Sequence, residues 1–442
     1  MKKIPSGAGK ILGKLNNEGY EAFLVGGCVR DIVMGRTPTD WDITTSATPD
    51  EFKSVFKNHK LIETGIKHGT VTLLDEGVPF EVTTYRVDGA YSDKRRPDRV
   101  RFTRSLSEDL RRRDFTINAM AMDIEGKIID ENGGLEDIGN KIIRCVGDPL
   151  LRFEEDALRI LRAIRFQSQL GFDVDVKTEE ALISKKELLR HISKERIRGE
   201  FEKILMGDNV RKVLLRHSEV IAVFIPEILP ALGFDQCNPF HIYDVYEHSV
   251  NAVSIIDKNP KYKMAAFLHD LGKPDCFIME KGWGHFYHHE TKGAKIAGDV
   301  LRRLKYDNDT IEDIVAIIKV HGTVFNATEK YARHKLNQMG EKRLRILISL
   351  EKADVASQNP KIITKRIEKI EDFERCVNKV IRENQCFSLK DLKINGEDLI
   401  GLGYQRGPLV GTELNHLLTL VIENIIENNK EALLSKARQD LK

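Results

Sequence analysis

Apolar positions divide the chain into two regimes. From about residue 150 onward they recur at helical spacing, as in LRILRAIRF, RIRGEFEKIL, MAAFLHDLG, IEDIVAIIKV and LRILISLEKA. Before that point short β-branched runs alternate with helical ones. YEAFLV, residues 20–25, predicts a strand; the Gly26-Gly27 turn follows, and a short helix runs through Met34. Residues 41–44 predict a second strand, and Thr48-Pro49-Asp50-Glu51 is a helix start with proline near the first turn. HGTVTLLDEG and VPFEVTTYRV, joined by Asp75-Glu76-Gly77, predict a hairpin. No segment repeats at a fixed period. The pattern predicts a small α/β head followed by a long helical body.

A length of 442 residues exceeds one compact core and predicts roughly two to four domains. The 41% apolar fraction suits globular packing, and no apolar run is long enough to span a membrane. MKKIPSGAGKILGKL has a basic start but no continuous apolar stretch or cleavage site, so it reads as an amphipathic helix, not a signal peptide. Six cysteines without a CxxC pair indicate neither a disulfide framework nor a cysteine zinc site, and a reducing cytoplasm is expected. A net charge of +2 means that nucleic-acid binding must come from local patches.

The chemistry concentrates first in LVGGCVRDIVMGRTPTDWDI, residues 24–43. On a strand, Asp40 and Asp42 project to one side, and two carboxylates at one point repel unless a cation lies between them. Mg²⁺ held by carboxylates and substrate phosphates is the common solution. Glu81, in PFEVTTYR, is a third acid whose strand can bring it beside the pair; three carboxylates suit a two-metal site. Gly26 and Gly27 would then let backbone N–H groups approach a triphosphate, with Arg30 and Arg36 adding charge. An ordinary turn followed by a surface acidic pair is the other reading of each motif alone; together they favour the site.

The succession LVGGCVRD, GRTPTDWDI, EVTTYR, RRRDFTINAMA and EEDALRILRAIRF resembles the class II tRNA nucleotidyltransferases, the CCA-adding enzymes of the polymerase-β-like superfamily. The resemblance covers about the first two hundred residues. It implies that Asp40 and Asp42 hold catalytic Mg²⁺, with Glu81 as the third acid. It further implies CTP, ATP and tRNA as partners, the tRNA gripped at its acceptor end and elbow.

Arg113 and Asp114 can donate to and accept from a ribose hydroxyl; the resemblance gives them the sugar, with Asn118 in support. A solvated basic run is the alternative. Asp156 and Arg159 lie three apart in a strongly helical run and would share one face. A carboxylate accepts from an exocyclic amine and a guanidinium donates to ring acceptors, which suits cytosine and adenine but not uracil and guanine. The resemblance gives Asp156 and Arg159 this role, with Glu155 and Arg162 nearby. A plain helical ion pair is the reading of these residues in isolation. The loop at residues 88–104 looks full length, which favours adding all three nucleotides over CC alone; A-only addition stays open. Bacterial poly(A) polymerases share the head motifs, but their further basic signature and strongly basic tail are missing here.

The body carries His248, His269-Asp270 in AAFLHDLGK, His289, His321 and Asp354. Histidine and aspartate recurring on separate helices suit a metal site inside a bundle. The set resembles the HD phosphohydrolase superfamily, which implies His248, His269, Asp270 and Asp354 as ligands of an unidentified divalent metal. His289 and His321 would serve a second ion, and Lys273 would contact phosphate. Loop 401–408 reads as an inter-helix connector. The expected fold is α+β: a mixed-sheet head (1–145), a helical neck reading the nucleobase (146–235), an HD domain (236–358) and a helical tail contacting tRNA (359–442), the body being all-helical. The sequence carries no signal for the oligomeric state.

Overall fold

The computed structural model describes residues 4–89 and 100–441. Residues 90–99, most of the 88–104 loop, therefore lie outside the described residues. The chain falls into two compact units, Met1–Pro226 and Glu227–Lys442.

The first nine strands, all in the first unit, are in chain order β1 (Ala22–Val25), β2 (Asp42–Thr45), β3 (Lys60–Ile62), β4 (Thr70–Asp75), β5 (Val78–Thr84), β6 (Arg86–Asp88), β7 (Val100–Phe102), β8 (Met120–Met122) and β9 (Ile128–Asp130). β6 and β7 pair with each other; the remainder form one sheet in the order β3-β4-β5-β2-β1-β8-β9. Its neighbours run antiparallel except β2 and β5, which are parallel. The expected hairpin is β4–β5, turning at Glu76 and Gly77.

Helix Ser6–Asn17 buries Ala8, Ile11, Leu12 and Leu15, an i, i+3, i+4, i+7 stripe, against the sheet. Phe52 and Phe56, at helix Pro49–Val55, complete that core. Truncating a residue such as Leu12 to alanine would cost about 2–5 kcal/mol. The predicted start of the second helix is a capping box: Thr48 and Glu51 each accept from the other's backbone N–H, with Pro49 in the first position. Beyond the sheet come helices Pro149–Glu155, Leu158–Leu170, Val176–Lys185, Lys194–Leu205 and Val210–Arg216.

The second unit is built on helices Val245–Ile255, Pro260–Leu268, His289–Arg303, Asn308–Ile318 and Glu329–Ala356, the last interrupted at Gly340. Thr364–Arg382 follows. Gly396–Gly401, Pro408–Ile422 and Lys430–Asp440 then share a separate core around Leu399, Leu417 and Leu433.

The body is not all-helical. A parallel pair, Ile142–Ile143 with Asp173–Val174, ties the first unit's helices together, and a hairpin, Phe277–Glu280 with Trp283–Phe286, stands in the second. Two-residue strands carry no periodicity, and FIME and WGHF lack an apolar–polar alternation; the local signal was Lys281-Gly282, both at positive φ (50° and 82°), the backbone a tight hairpin turn demands. Among the described residues no helix is long and apolar enough to cross a membrane.

Candidate active site and a second cluster of metal-type ligands

β1 ends at Val25, and the chain passes through Gly26 into helix Gly27–Val33. Gly26 has φ 76°, and a Cβ there would stand 3.4 Å from Arg113 Nη1 and 3.6 Å from Asp42 Oδ2. The turn thus brings bare backbone against an acid and an arginine.

Asp42 opens β2 and has Val25 as its register partner on one side and Glu81 on the other. Burial raises its pKa, Asp40 and Glu81 raise it further, and it reaches about 6 against the pull of Arg113 and Arg162. Asp40 reaches the site differently from expectation. It is exposed in a bend, and the strand begins only at Asp42, because the chain must reverse after the helix to enter β2 antiparallel to β1. The three acids are electrostatically coupled, but they are not among the groups of ligand atoms that lie within 4.8 Å of one another in the described residues. Arg36 is exposed on the turn after the helix.

The arginines facing these acids are held from behind. Asp109, fully buried, accepts from Arg112 Nε and Nη2 (2.9 and 2.7 Å), Arg113 Nη2 (3.2 Å) and Thr44 Oγ1 (3.2 Å). Burial works against its charge, yet Arg112 and Arg113 keep its pKa below the ordinary value. The sequence reading passed over Asp109, although its i, i+3 and i, i+4 spacing to the two arginines was a signal.

Asp114 is buried. Its Oδ2 accepts from Arg162 Nε (2.6 Å); its Oδ1 accepts from the Phe115 N–H (2.9 Å) and Asn118 Nδ2 (3.3 Å). Burial alone would raise its pKa, but Arg162 and Arg159 bring it to about 2. Asn118 Oδ1 accepts in turn from Arg30 Nη1 (2.8 Å), and Arg30 and Arg162 both lie over the Phe166 ring. One chain of contacts therefore links the glycine turn, the RRD segment and helix Leu158–Leu170.

Asp156 and Arg159 do not share a helix face. The helical run breaks at Asp156, which is extended (φ −139°, ψ 102°) between helices Pro149–Glu155 and Leu158–Leu170. Its Oδ1 caps the Leu158 N–H at 3.0 Å, a competing hydrogen bond that ends one helix and starts the next. Its Oδ2 accepts from Arg196 (2.7 Å), a partner the sequence reading missed because it lies far along the chain. Arg159 pairs with Glu155 (2.6 Å) and donates to the Arg112 carbonyl (3.1 Å). Both side chains are fixed by neighbours other than each other.

In the second unit two groups of ligand atoms lie within 4.8 Å of one another: His248, His269, Asp270 and Asp354, and Asp270, His289 and His321. Elements distant in sequence supply them: His248 sits in helix Val245–Ile255, His269 caps Pro260–Leu268, and Asp354 ends Glu329–Ala356. Each histidine turns Nδ1 to a backbone carbonyl: His248 to Ser357, His269 to Ala266, His289 to Phe286, and His321 to Ile318. A carbonyl only accepts, so Nδ1 carries a proton and the Nε2 atoms turn inward; that of His248 lies 2.8 Å from Asp354 Oδ1, a contact that needs a proton or a cation between the two. His289 Nε2 and His321 Nε2 lie 3.2 Å apart, an arrangement that needs a proton or cation between them. His269 Nε2 is buried without an aligned hydrogen-bond partner.

Asp270 joins the two groups. Its Oδ2 faces His248 (3.4 Å) and His269 (3.2 Å), and its Oδ1 faces His321 (3.4 Å) and His289 (3.6 Å). Burial opposes its charge, but His269 and Lys273 hold its pKa well below the carboxylate range. The donor set fits metal: imidazoles fixed through Nδ1 and a carboxylate able to bridge suit a borderline divalent ion better than Mg²⁺.

The CCA-adding enzyme of Bacillus pumilus is 36% identical over 425 residues, 96% of this chain and 94% of the relative. The chain belongs to the CCA-adding enzymes, the tRNA nucleotidyltransferases. The Geobacillus thermodenitrificans CCA-adding enzyme is 37% identical over 427 residues, again 96% and 94% of the two chains. The crystal structure of the Bacillus stearothermophilus CCA-adding enzyme in complex with CTP superposes with a TM-score of 0.72 at 31% identity, covering 98% of this chain and 96% of that one. The Thermotoga maritima CCA-adding enzyme complexed with a tRNA shares the fold at 22% identity, with a TM-score of 0.60 over 100% and 97% of the chains. Three family descriptions match in order: the Poly A polymerase head domain over residues 22–144, the RNA and SrmB-binding site of polymerase A over 171–232, and tRNA nucleotidyltransferase domain 2 over 279–437. The acidic centre thus falls inside the matched head.

Proposed function

We propose that this chain adds CCA to the 3′ end of tRNA from CTP and ATP without a nucleic-acid template. The observation that carries the proposal is the pairing of Asp42 with Glu81 beside Arg113 and Arg162, at the foot of a glycine turn. Asp40, Asp42 and Glu81 would hold two Mg²⁺ ions. Such ions supply Lewis acidity for attack of the tRNA 3′ hydroxyl on the α-phosphate and departure of pyrophosphate. Gly26 and Gly27 leave backbone N–H groups open to the triphosphate. Arg113 is poised between Asp42 and Asp109, where it can meet the ribose; Asp114 steadies that region through Arg162 and Asn118.

Asp156 and Arg159 would read the base. Arg196 and Glu155 hold them at a fixed spacing, so only an edge with an amino group beside an acceptor satisfies both, as in cytosine and adenine. Residues 88–104, present at full length, favour addition of all three nucleotides. The second family match and the helical tail, 359–442, fit a grip on tRNA through shape and phosphate. The free cysteines and such a substrate fit the cytoplasm. The test offers the protein a tRNA lacking its 3′ CCA, with labelled CTP and ATP separately and together. CC from CTP alone and CCA from both support the proposal; long adenylate tails on unrelated RNA would replace it with a poly(A) polymerase.

A second activity is favoured by the inward Nε2 atoms of four histidines around Asp270. Residues 236–358 would form an HD-type domain hydrolysing phosphoesters at RNA ends, with Lys273, 2.6 Å from Asp270, close enough to meet the phosphate. Asp42→Ala should abolish nucleotide addition alone, and Asp270→Ala phosphate release alone. Loss of both activities in either variant would refute two separate sites.

A further inference from the structure

The second cluster lines a cavity of about 710 Å³, within the range of small-ligand sites. One part of its lining is ionic: Asp270, His289, His321 and Asp354, with Lys273 and Arg366 adding positive charge. The other is aromatic and open. Phe240, Trp283 and Tyr287 all line the cavity, yet remain 43%, 48% and 51% exposed. Phe240 meets Trp283 edge to face at 6.1 Å, and Tyr287 stacks on His285 at 5.5 Å with nearly parallel planes. Holding metal explains the ionic part. Nothing in it calls for three large exposed rings around the same opening.

The hairpin Phe277–Glu280 with Trp283–Phe286 accounts for them. It is anchored where Phe277 and Phe286 pack on Phe234, and where Gly284 donates its N–H to the Cys237 carbonyl at 2.7 Å. The anchored hairpin presents Trp283 to the cavity, and the preceding loop presents Phe240. A ligand that fills both parts carries an anionic phosphoryl group at one end and a flat π-face at the other.

We propose that this cavity takes a nucleotide phosphoester and that Trp283 and Phe240 select it by stacking on its base. The inference rests on the HD reading only for the phosphate end; the aromatic end stands on its own geometry. Stacking of one base on an aromatic side chain is worth roughly 1–3 kcal/mol, or about five- to 150-fold in affinity. The site would then discriminate a base-bearing end from a bare sugar phosphate while accepting any base, because every base has a π-face.

The chain has two tryptophans, so Trp41→Phe leaves Trp283 as the sole indole. In that full-length variant, AMP should quench the indole emission saturably and ribose 5-phosphate should not. Trp283→Leu and Phe240→Leu, both at exposed positions, should each raise the KM for hydrolysis of a 2′,3′-cyclic nucleotide at least about fivefold with little change in kcat. Equal quenching by both probes, or none by either, overturns the proposal. Mn²⁺ counting by electron paramagnetic resonance separates the two readings. Should Asp270→Ala bind as many ions as the parent, the metal reading fails while the fluorescence still decides the stacking.

Discussion

Asp42 and Glu81 stand at the same height on adjacent parallel strands, β2 and β5. Burial, with Asp40 close by and Glu81 at that register, is why Asp42 keeps its proton up to about pH 6. Between about pH 4 and 6 the folded state binds a proton at Asp42 that the unfolded chain does not, so the metal-free protein loses stability as pH rises through this window. Metal needs the ionised form, so head-site affinity should fall towards tenfold per unit below about pH 6. Mn²⁺ titrations between about pH 5 and 8, with Asp270→Ala to silence the second cluster, would show it. A flat profile would contradict the coupling.

Glu81→Gln removes one of the two carboxylates that raise the pKa of Asp42. The midpoint of that pH profile should move down, while nucleotide addition falls at least about tenfold through the lost ligand. A midpoint that stays at about 6 would leave burial and Asp40 as its causes. Asp42→Asn should be more severe, about a hundredfold or more in kcat, with tRNA binding retained in a gel-shift assay.

The three acids stand out in the sequence because they sit in short local motifs, two aspartates one residue apart and a β-branched run long enough to read as a strand, although Asp40 lies in the bend before β2 and not on it. Their pairing was legible only in outline, since no residue of β2 specifies β5 as its parallel neighbour. The helical run EEDALRILRAIRF, residues 154–166, misled for a physical reason. Apolar periodicity continues through Asp156, but a carboxylate that bonds the backbone N–H two residues on offers the chain another way to satisfy that donor, and the helix breaks. Arg196 and Asp109 were missed for different reasons. The first is 40 residues from its partner; the second sits at readable helical spacing but was hidden among louder charges. The second cluster was readable as a set of residue types. Its bridging carboxylate and uniform Nδ1 contacts exist only once the helices pack.

Asp109 is the buried counter-charge to Arg112 and Arg113. Asp109→Ala would leave both guanidiniums without it, at a cost of about 3–5 kcal/mol, read as a lower melting temperature. Asp109→Asn keeps the shape and some hydrogen bonds, so it should melt closer to the parent. It should nevertheless discriminate less between CTP and dCTP, because Arg113 loses its tether. Unchanged discrimination in a well-folded Asp109→Asn protein would remove Arg113 from the sugar.

Arg196 holds Asp156 by a 2.7 Å charged hydrogen bond. Without it the carboxylate keeps only its cap on Leu158 and can swing on its own torsions. Arg196→Ala should therefore raise KM for CTP and ATP about tenfold, the equivalent of one charge-assisted bond, and raise UTP misincorporation. Arg196→Lys should recover part of the loss, since it restores charge without the planar fork. An unaltered nucleotide preference would place base reading elsewhere.

His289 and His321 present two lone pairs to each other at 3.2 Å, and Asp270 Oδ1 lies within 3.6 Å of both. His248 and His269 face the opposite oxygen of Asp270, and Asp354 completes that group. The two halves should therefore respond differently to loss of one imidazole. His289→Ala relieves the lone-pair conflict and deletes one ligand of the weaker group, so one bound ion should disappear while the other stays. Asp270→Ala removes the carboxylate common to both, so both should go. Burial works against the imidazolium of His289, and its neighbour His321 adds to that, so its pKa lies below the usual histidine value. The ring is consequently ready to bind metal at neutral pH without first releasing a proton. Metal analysis of the parent and the two variants after dialysis against a chelator and reloading with Mn²⁺ should give a descending series. If His289→Ala lost every ion, the two groups would be one site, and Asp270 would be an ordinary ligand, not a bridge.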